Sequence, residues 1–141
     1  MFEHWQLYAL GSAFFAGLTA ILAKIGVAGI SSNAATLIRT MVILVFLSVL
    51  VVLRNEWINP FVLSKKNLIF LVLSGLATGL SWICFFRALQ IGPAALVASV
   101  DKFSLALAVL LAVLFLGERL TLQHWLGVVL MTAGTLLIVL V

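Results

Sequence analysis

The sequence predicts an all-α integral membrane protein with five transmembrane helices. Of its 141 residues, 65% are hydrophobic and only 9% are charged, and the mean hydropathy is +1.35. A soluble domain carries charge on about a quarter of its residues, so this composition excludes a soluble fold. The apolar residues also fall into five runs, each with the length of about 19 to 23 residues that a bilayer-crossing helix needs.

Short connections separate the five runs, and none of the runs alternates strictly between polar and apolar residues. We therefore do not expect a membrane-spanning β-barrel. The predicted helices cover residues 5–23, 33–53, 67–89, 94–116 and 122–141. We expect them to form a single domain over residues 1–141. The first run should be retained in the protein, because it lacks the basic start and the cleavage site of a signal peptide.

Residues with capping chemistry support these bounds. Ser31, Ser32 and Asn33 are all suitable N-caps for the second helix. Thr121 is a suitable cap for the fifth helix. Pro93 can open the fourth helix, because the first turn of a helix does not need a proline N–H. We expect the fourth run to be one helix across the membrane.

An acid and a base stand side by side inside the fourth predicted helix. Asp101 lies roughly 12 Å from the helix start, close to the middle of a hydrocarbon layer about 30 Å thick. A charge there costs about 2.5–3.5 kcal/mol and is by default a hypothesis about function. Asp101 and Lys102 are about 100° apart on a helix, so we expect Asp101 to pair with Arg39 or Lys24 instead. A coupling role and a purely structural ion pair both remain open for Asp101.

Seven side chains are candidates for substrate binding or coupling, and all five charged ones fall in the half of the membrane opposite the N-terminus. Charges at related depths must share a hydrated cavity, pair with one another, or snorkel to the headgroups. The snorkelling alternative stays open for the two cations near helix ends, and Trp82 is either a cavity wall or a core filler. The candidates are Asp101, Lys102, Arg39, Trp82, Phe86, Lys24 and Arg87.

The sequence indicates neither an enzyme nor a metal, cofactor or nucleic-acid site. The single cysteine, Cys84, excludes an intrachain disulfide, and His4 and His124 lack the spacing of metal ligands. No phosphate-binding glycine loop or serine–histidine–acid set is present. The net charge of +4 comes from basic residues scattered between apolar runs, which is unlike the basic stripe of a nucleic-acid surface.

The distribution of basic residues permits insertion in both orientations. Five crossings place the two termini on opposite sides of the membrane. The loops and helix edges carry four basic residues on the N-terminal side and two on the other side. This difference weakly favours a cytoplasmic N-terminus. Counting the intramembrane Arg39 and Lys102 makes the two sides equal. Gly75 and Gly79 form a GxxxG element, and we expect this face to pack on another helix.

The last three runs contain several short motifs. They are Phe85-Phe86-Arg87-Ala88-Leu89, Gly92-Pro93-Ala94 with Val97, Leu116-Gly117-Glu118-Arg119-Leu120, Trp125-Leu126-Gly127 and Ala133-Gly134. The sequence resembles the EamA-type domain of the drug/metabolite transporter superfamily on these residues. The most specific part is the Gly-Glu-Arg-Leu turn before the Trp-Leu-Gly helix.

The resemblance implies a fold and a function. Most members carry two five-helix halves as inverted repeats, so this chain looks like half of a ten-helix inverted-repeat transporter that works as an antiparallel homodimer. The implied function is secondary transport of small polar metabolites by alternating access, in the plasma (inner) membrane. The excess of intramembrane cations favours amino acid-like, anionic or zwitterionic substrates. An accessory scaffold that binds membrane lipids and the translocation of a lipid-linked group are the alternatives.

Overall fold

A computed structural model describes residues 4–140, apart from the side chain of Phe61, and all regular structure in this part of the chain is helical. The six α-helices are α1 (His4–Gly26), α2 (Ser32–Leu53), α3 (Lys65–Ile91), α4 (Ala94–Asp101), α5 (Phe103–Leu111) and α6 (Leu122–Leu140). Two short elements complete the described fold, a 3-10 turn at Pro60–Val62 and a π-helical turn at Ala112–Leu116.

Five helical stretches have the length and composition to cross a membrane. They are α1, α2, α3, α6 and the stretch Ala94–Leu116, which consists of α4, α5 and the π-helical turn. The predicted class, an all-α membrane protein with five spanning helices, is therefore confirmed. Apolar side chains such as Phe46, which is 63% exposed, lie on the outer faces of these helices, where a bilayer would solvate them.

The helix ends lie within a few residues of the predicted ones. Ser31 is the N-cap of α2, and its Oγ accepts a hydrogen bond from the Ala34 N–H at 3.2 Å. Pro93 opens α4 as its N-cap, with an extended backbone (φ −63°, ψ 135°), and the helix begins at Ala94 as predicted. Residue 141, the last of the fifth predicted helix, lies outside the described residues.

The fourth span is interrupted at Lys102, where a continuous helix was predicted. The Lys102 N–H donates to the Ser99 carbonyl at 3.0 Å, and the Leu105 N–H donates to the Lys102 carbonyl at 3.0 Å. Both bonds join residues three apart, which is tighter than the i→i−4 pattern of an α-helix. The backbone therefore changes its winding at the one place where the span carries an acid and a base.

The π-helical turn ends the fourth span with a left-handed residue. Gly117 has φ 68° and ψ 24°, and the Glu118 N–H donates to the Ala112 carbonyl at 3.4 Å. This combination closes a helix because glycine adopts the left-handed region without the steric penalty of a Cβ atom. The Gly-Glu-Arg-Leu turn thus begins with a residue that the backbone conformation requires.

We expect Gly117→Ala to lower the free energy of unfolding by about 1 kcal/mol, because alanine is strained in the left-handed region. A Cβ atom at Gly117 would meet no described atom within 4 Å, so the effect should come from the backbone alone. Gly127→Ala in α6 is the matched control, because its Cβ would also meet no described atom within 4 Å and its backbone is helical. Denaturant titration in bilayer discs measures both; equal stability of the two variants would contradict the prediction.

The chain divides into two compact units. The central unit consists of Ala23–Ile91 and contains the last turn of α1, with α2 packed on α3. The terminal unit consists of the residues up to Leu22 and those from Gly92 onward, and in it α6 packs on α4 and α5. The most deeply buried apolar residues, Leu89 (0% exposed), Val27 (2%) and Phe86 (3%), all belong to the central unit.

The two glycines of the GxxxG element have no close neighbour within the described chain. Gly75 and Gly79 lie in the apolar middle of α3, and a Cβ atom built at either position has no described atom within 4 Å. Close helix packing at these two glycines is therefore not formed within residues 4–140 of a single chain.

Candidate functional site

The central unit holds an arginine against two aromatic rings. The Arg39 Cζ atom of α2 lies 4.4 Å from the centroid of the Trp82 ring and 5.5 Å from that of Phe86, both on α3. Cations within about 6 Å of a ring centroid are attracted by the negative face of the ring, and tryptophan is the strongest such partner. The structure thus brings three of the seven predicted residues into one cluster, which we call the arginine–aromatic cluster.

The sequence positions this cluster through simple helix geometry. Trp82 and Phe86 are four residues apart and lie one turn apart on the same face of α3, which packs against α2. Phe86 is only 3% exposed and meets Phe85 edge to face, with ring centroids 6.5 Å apart. One ring is therefore fixed in the packed interior, while Arg39 and Trp82 are half-buried at its edge.

Three side-chain hydrogen bonds lie at the end of α3, and two of them join it to α1 and to the connection between α1 and α2. The Lys24 Nζ donates to the carbonyl of the fully buried Leu89 at 2.5 Å. The Gln90 Nε2 donates to the Ile30 carbonyl at 2.6 Å, and the Arg87 Nη1 donates to the Gln90 Oε1 at 2.9 Å. The last carbonyls of a helix have no partner within it, so a lysine at this position stabilises the C-terminus of α3.

Lys24 and Arg87 thus lie at the end of α3, where each donates a hydrogen bond within the central unit. For Lys24, the predicted alternatives were a cavity role, an ion pair with Asp101 and snorkelling, and the bond to a backbone carbonyl is a further arrangement. Gln90 was not among the predicted residues, and it links Arg87 to the α1–α2 connection. The available signal was a polar residue placed just before the Ile-Gly helix end.

Asp101 and Lys102 form an ion pair in the terminal unit. The Lys102 Nζ lies 3.8 Å from the Asp101 Oδ2, and the two side chains are 53% and 40% exposed, respectively. The prediction that these neighbours would not face each other well was wrong, because the long, flexible Lys102 side chain reaches the carboxylate of the preceding residue despite their angular offset. Pairing leaves this stretch of the span close to neutral.

The described clusters offer cations, rings and one carboxylate within the spans. Among residues 4–140, no three histidine, cysteine, aspartate or glutamate side chains are grouped so that they could hold a metal ion. In the arginine–aromatic cluster, the positive charge of Arg39 is partly shielded from solvent by the two rings. Such a group attracts anions by charge and by hydrogen bonding.

Five apolar spans with charged side chains among them define a multi-pass helical membrane protein. The model of the EamA-like transporter family matches residues 4–140, so the chain belongs to this family. The predicted resemblance to the EamA-type domain is confirmed, and the protein is a transporter of the EamA family.

Two kinds of curated relative support this assignment. An uncharacterized transporter encoded in the cobO 3' region of a Sinorhizobium species is 51% identical over 138 residues, which cover 98% of each chain. The probable 4-amino-4-deoxy-L-arabinose-phosphoundecaprenol flippase subunit ArnE of Yersinia pestis is 37% identical over 67 residues. That match covers 48% of this chain and 59% of the relative. No solved structure matches the chain.

Proposed function

We propose that this protein is a secondary transporter of small polar metabolites, with amino acid-like, anionic or zwitterionic solutes as substrates. It works by alternating access as an antiparallel homodimer in the plasma (inner) membrane and catalyses no chemical conversion. Each chain contributes one five-helix domain, and two chains in opposite orientation supply the ten helices of an inverted-repeat transporter.

The observation that carries the proposal is the position of Arg39. Its Cα atom lies roughly 10 Å along the axis from the start of a helix that is long and apolar enough to cross the bilayer. Charges at this depth are costly, and they mark substrate or ion pathways by default. Family membership supplies the class of activity, and the charge of Arg39 favours substrates that carry a negative group.

The contacts of the other predicted residues support a role for each in this proposal. Trp82 and Phe86 form the apolar wall against which Arg39 is held. Asp101, which is paired with Lys102, serves as the protonatable partner. Lys24 and Arg87 stabilise the end of α3 by hydrogen bonds, and in the proposal this end borders the solute path.

Three features support an antiparallel pair. An odd number of spans places the termini of one chain on opposite sides, so an inverted second copy makes the two sides of the membrane equivalent. The basic residues on the two sides are nearly balanced, which permits both orientations. Gly75 and Gly79 of α3 have no close neighbour within the described chain, and small residues of this kind are common at helix–helix contacts in membranes.

A second candidate function is the movement of a lipid-linked group between leaflets. The name of the Yersinia pestis relative, a probable flippase subunit for a sugar attached to phosphoundecaprenol, favours this candidate. A cation accessible within an apolar span could attract a lipid phosphate as well as a soluble anion.

Flux in proteoliposomes tests the two candidates. The purified chain is reconstituted and assayed for counterflow of labelled amino acids, small carboxylates and phosphate esters, and in parallel for transfer of a labelled polyprenyl phosphate between leaflets. We expect counterflow of at least one soluble solute to exceed that of protein-free liposomes by about tenfold, which corresponds to about 1.4 kcal/mol of barrier.

The two outcomes separate the candidates. Lipid transfer without soluble counterflow would contradict the leading proposal and support the second. A folded, dimeric protein that moves neither class would contradict both and leave the scaffold alternative.

A further inference from the structure

Three of the four candidate cations have an acceptor within their own unit. The contacts join Lys24 to the Leu89 carbonyl (2.5 Å), Arg87 to the Gln90 Oε1 (2.9 Å) and Lys102 to the Asp101 carboxylate (3.8 Å). Arg39 is the fourth, and its contacts within residues 4–140 are with two aromatic rings. Rings attract the charge of a guanidinium, but they are weak acceptors for its hydrogen bonds.

The unmet requirement of Arg39 is chemically specific. A guanidinium presents five N–H donors in a planar fork, which matches the two oxygens of a carboxylate or a phosphate. Within a bilayer span, donors without acceptors are costly. The bound state that satisfies Arg39 is therefore one in which an oxyanion lies at the edge of the guanidinium.

We propose that Arg39 binds the oxyanion of the transported molecule and that Trp82 positions the guanidinium for this contact. The inference rests on the proposed function and narrows its substrate class to molecules with a carboxylate or phosphate group. Permanent cations are excluded because the guanidinium repels them, and neutral sugars are excluded because their hydroxyl groups lack the negative charge that makes hydrogen bonds to an oxyanion strong.

The two rings have different parts in this arrangement. Phe86 is 3% exposed and packed edge to face on Phe85, so it forms a fixed floor 5.5 Å from the Arg39 Cζ. Trp82 is half-buried and lies closer, at 4.4 Å, where its ring restricts the rotation of the long arginine side chain. Trp82 is thus a positioning residue that acts through Arg39, and a smaller ring at its position should retain most of the effect.

The same chemistry could come from a soluble metabolite or from a lipid phosphate. Direct binding distinguishes the two sources and does not depend on transport. The purified full chain in a non-ionic detergent is equilibrated with radiolabelled inorganic phosphate, acetate or octyl phosphate, with octyltrimethylammonium as the cationic control. The variants are Arg39→Gln, Arg39→Lys, Trp82→Phe and Trp82→Ala, and Arg54→Gln is the control for loss of an arginine at the exposed C-cap of α2.

We expect at least one oxyanion to bind saturably, and octyltrimethylammonium not to compete with it. Arg39→Gln should weaken binding by about 10- to 100-fold, which is the range for charge-assisted hydrogen bonds. Arg39→Lys should recover only part of the affinity, because an ammonium group lacks the planar fork. Trp82→Ala should weaken binding and Trp82→Phe should restore it, while Arg54→Gln should bind as the wild type does.

The labelled probe that binds shows whether the anion belongs to a soluble molecule or to a lipid. Binding of phosphate or acetate supports a soluble substrate, and binding of octyl phosphate alone supports a lipid phosphate. Equal binding by wild type and a folded Arg39→Gln variant would overturn the proposal, as would the absence of binding in every oxyanion arm. Arg39-dependent binding by a protein without flux would support the site and contradict only the transporter function.

Discussion

Asp101→Asn is expected to reduce pH-dependent flux by about tenfold or more, which corresponds to at least about 1.4 kcal/mol of barrier. A carboxylate whose charge changes on protonation can couple a proton to the movement of a solute, whereas an amide of the same shape cannot. Asp101 is 40% exposed beside Lys102, so a proton can reach it. The measurement is counterflow in proteoliposomes over a range of pH, and Asp101→Glu should retain the pH dependence.

A purely structural ion pair is the competing explanation, and a double variant separates it from coupling. Asp101→Asn alone leaves the charge of Lys102 without a counter-ion, and an uncompensated charge in a low-dielectric environment destabilises the folded protein. Asp101→Asn combined with Lys102→Gln removes both charges and restores neutrality. If the pair serves only assembly, the double variant recovers pH-dependent flux, and the coupling role is contradicted. If Asp101 couples, the double variant assembles but its flux stays low. Glu118→Gln, beyond the end of the fourth span, is the matched control.

Single cysteines on either side of the membrane should each be labelled from outside in about half of the copies, because the balanced charge permits both orientations. The chain has one native cysteine, Cys84, which is exposed and is replaced first by alanine. Ala28→Cys reports on the connection between α1 and α2, and Glu56→Cys reports on the connection after α2, across one span. An impermeant maleimide added to intact cells measures the fraction accessible at each position.

Charge-biased variants test whether both orientations are needed. Asn55→Lys with Glu56→Lys should hold this connection in the cytoplasm, because positive residues are retained on that side. Such a copy should lose flux alone and regain it when it is produced together with a copy biased by Ala28→Lys. Labelling of wild-type chains from one face only, or full activity of a singly biased copy, would contradict the antiparallel dimer.

The spans could be predicted from the sequence because span length is a property of the bilayer. About 20 consecutive apolar residues are needed to cross it, and the runs of this chain have that length between polar breaks. The family was also recognisable from its Gly-Glu-Arg-Leu turn motif. The glycine of this motif, Gly117, is required locally because the backbone there is left-handed. Both depend on residues that are close together in the chain.

The partners of the intramembrane charges could not be predicted in the same way. Arg39 was expected to be a possible partner of Asp101, but it lies over Trp82, about forty residues along the chain, because the packing of α2 on α3 sets which side chains meet. Asp101 pairs with its own neighbour because the long Lys102 side chain reaches it. The change of winding at Lys102 is not indicated by any glycine or proline in the adjacent sequence.

The sequence by itself determined that five helices cross a membrane, where they begin and end to within a few residues, and which charges they carry into it. Burial in lipid enforces these features on every span separately, so each can be recognised without its neighbours. Only the tertiary structure decided that Lys24 and Arg87 donate hydrogen bonds, that Lys102 pairs with a carboxylate and that Arg39 rests on aromatic rings. Those contacts depend on the rotation of helices and on local changes of winding, which the hydrophobic pattern does not specify.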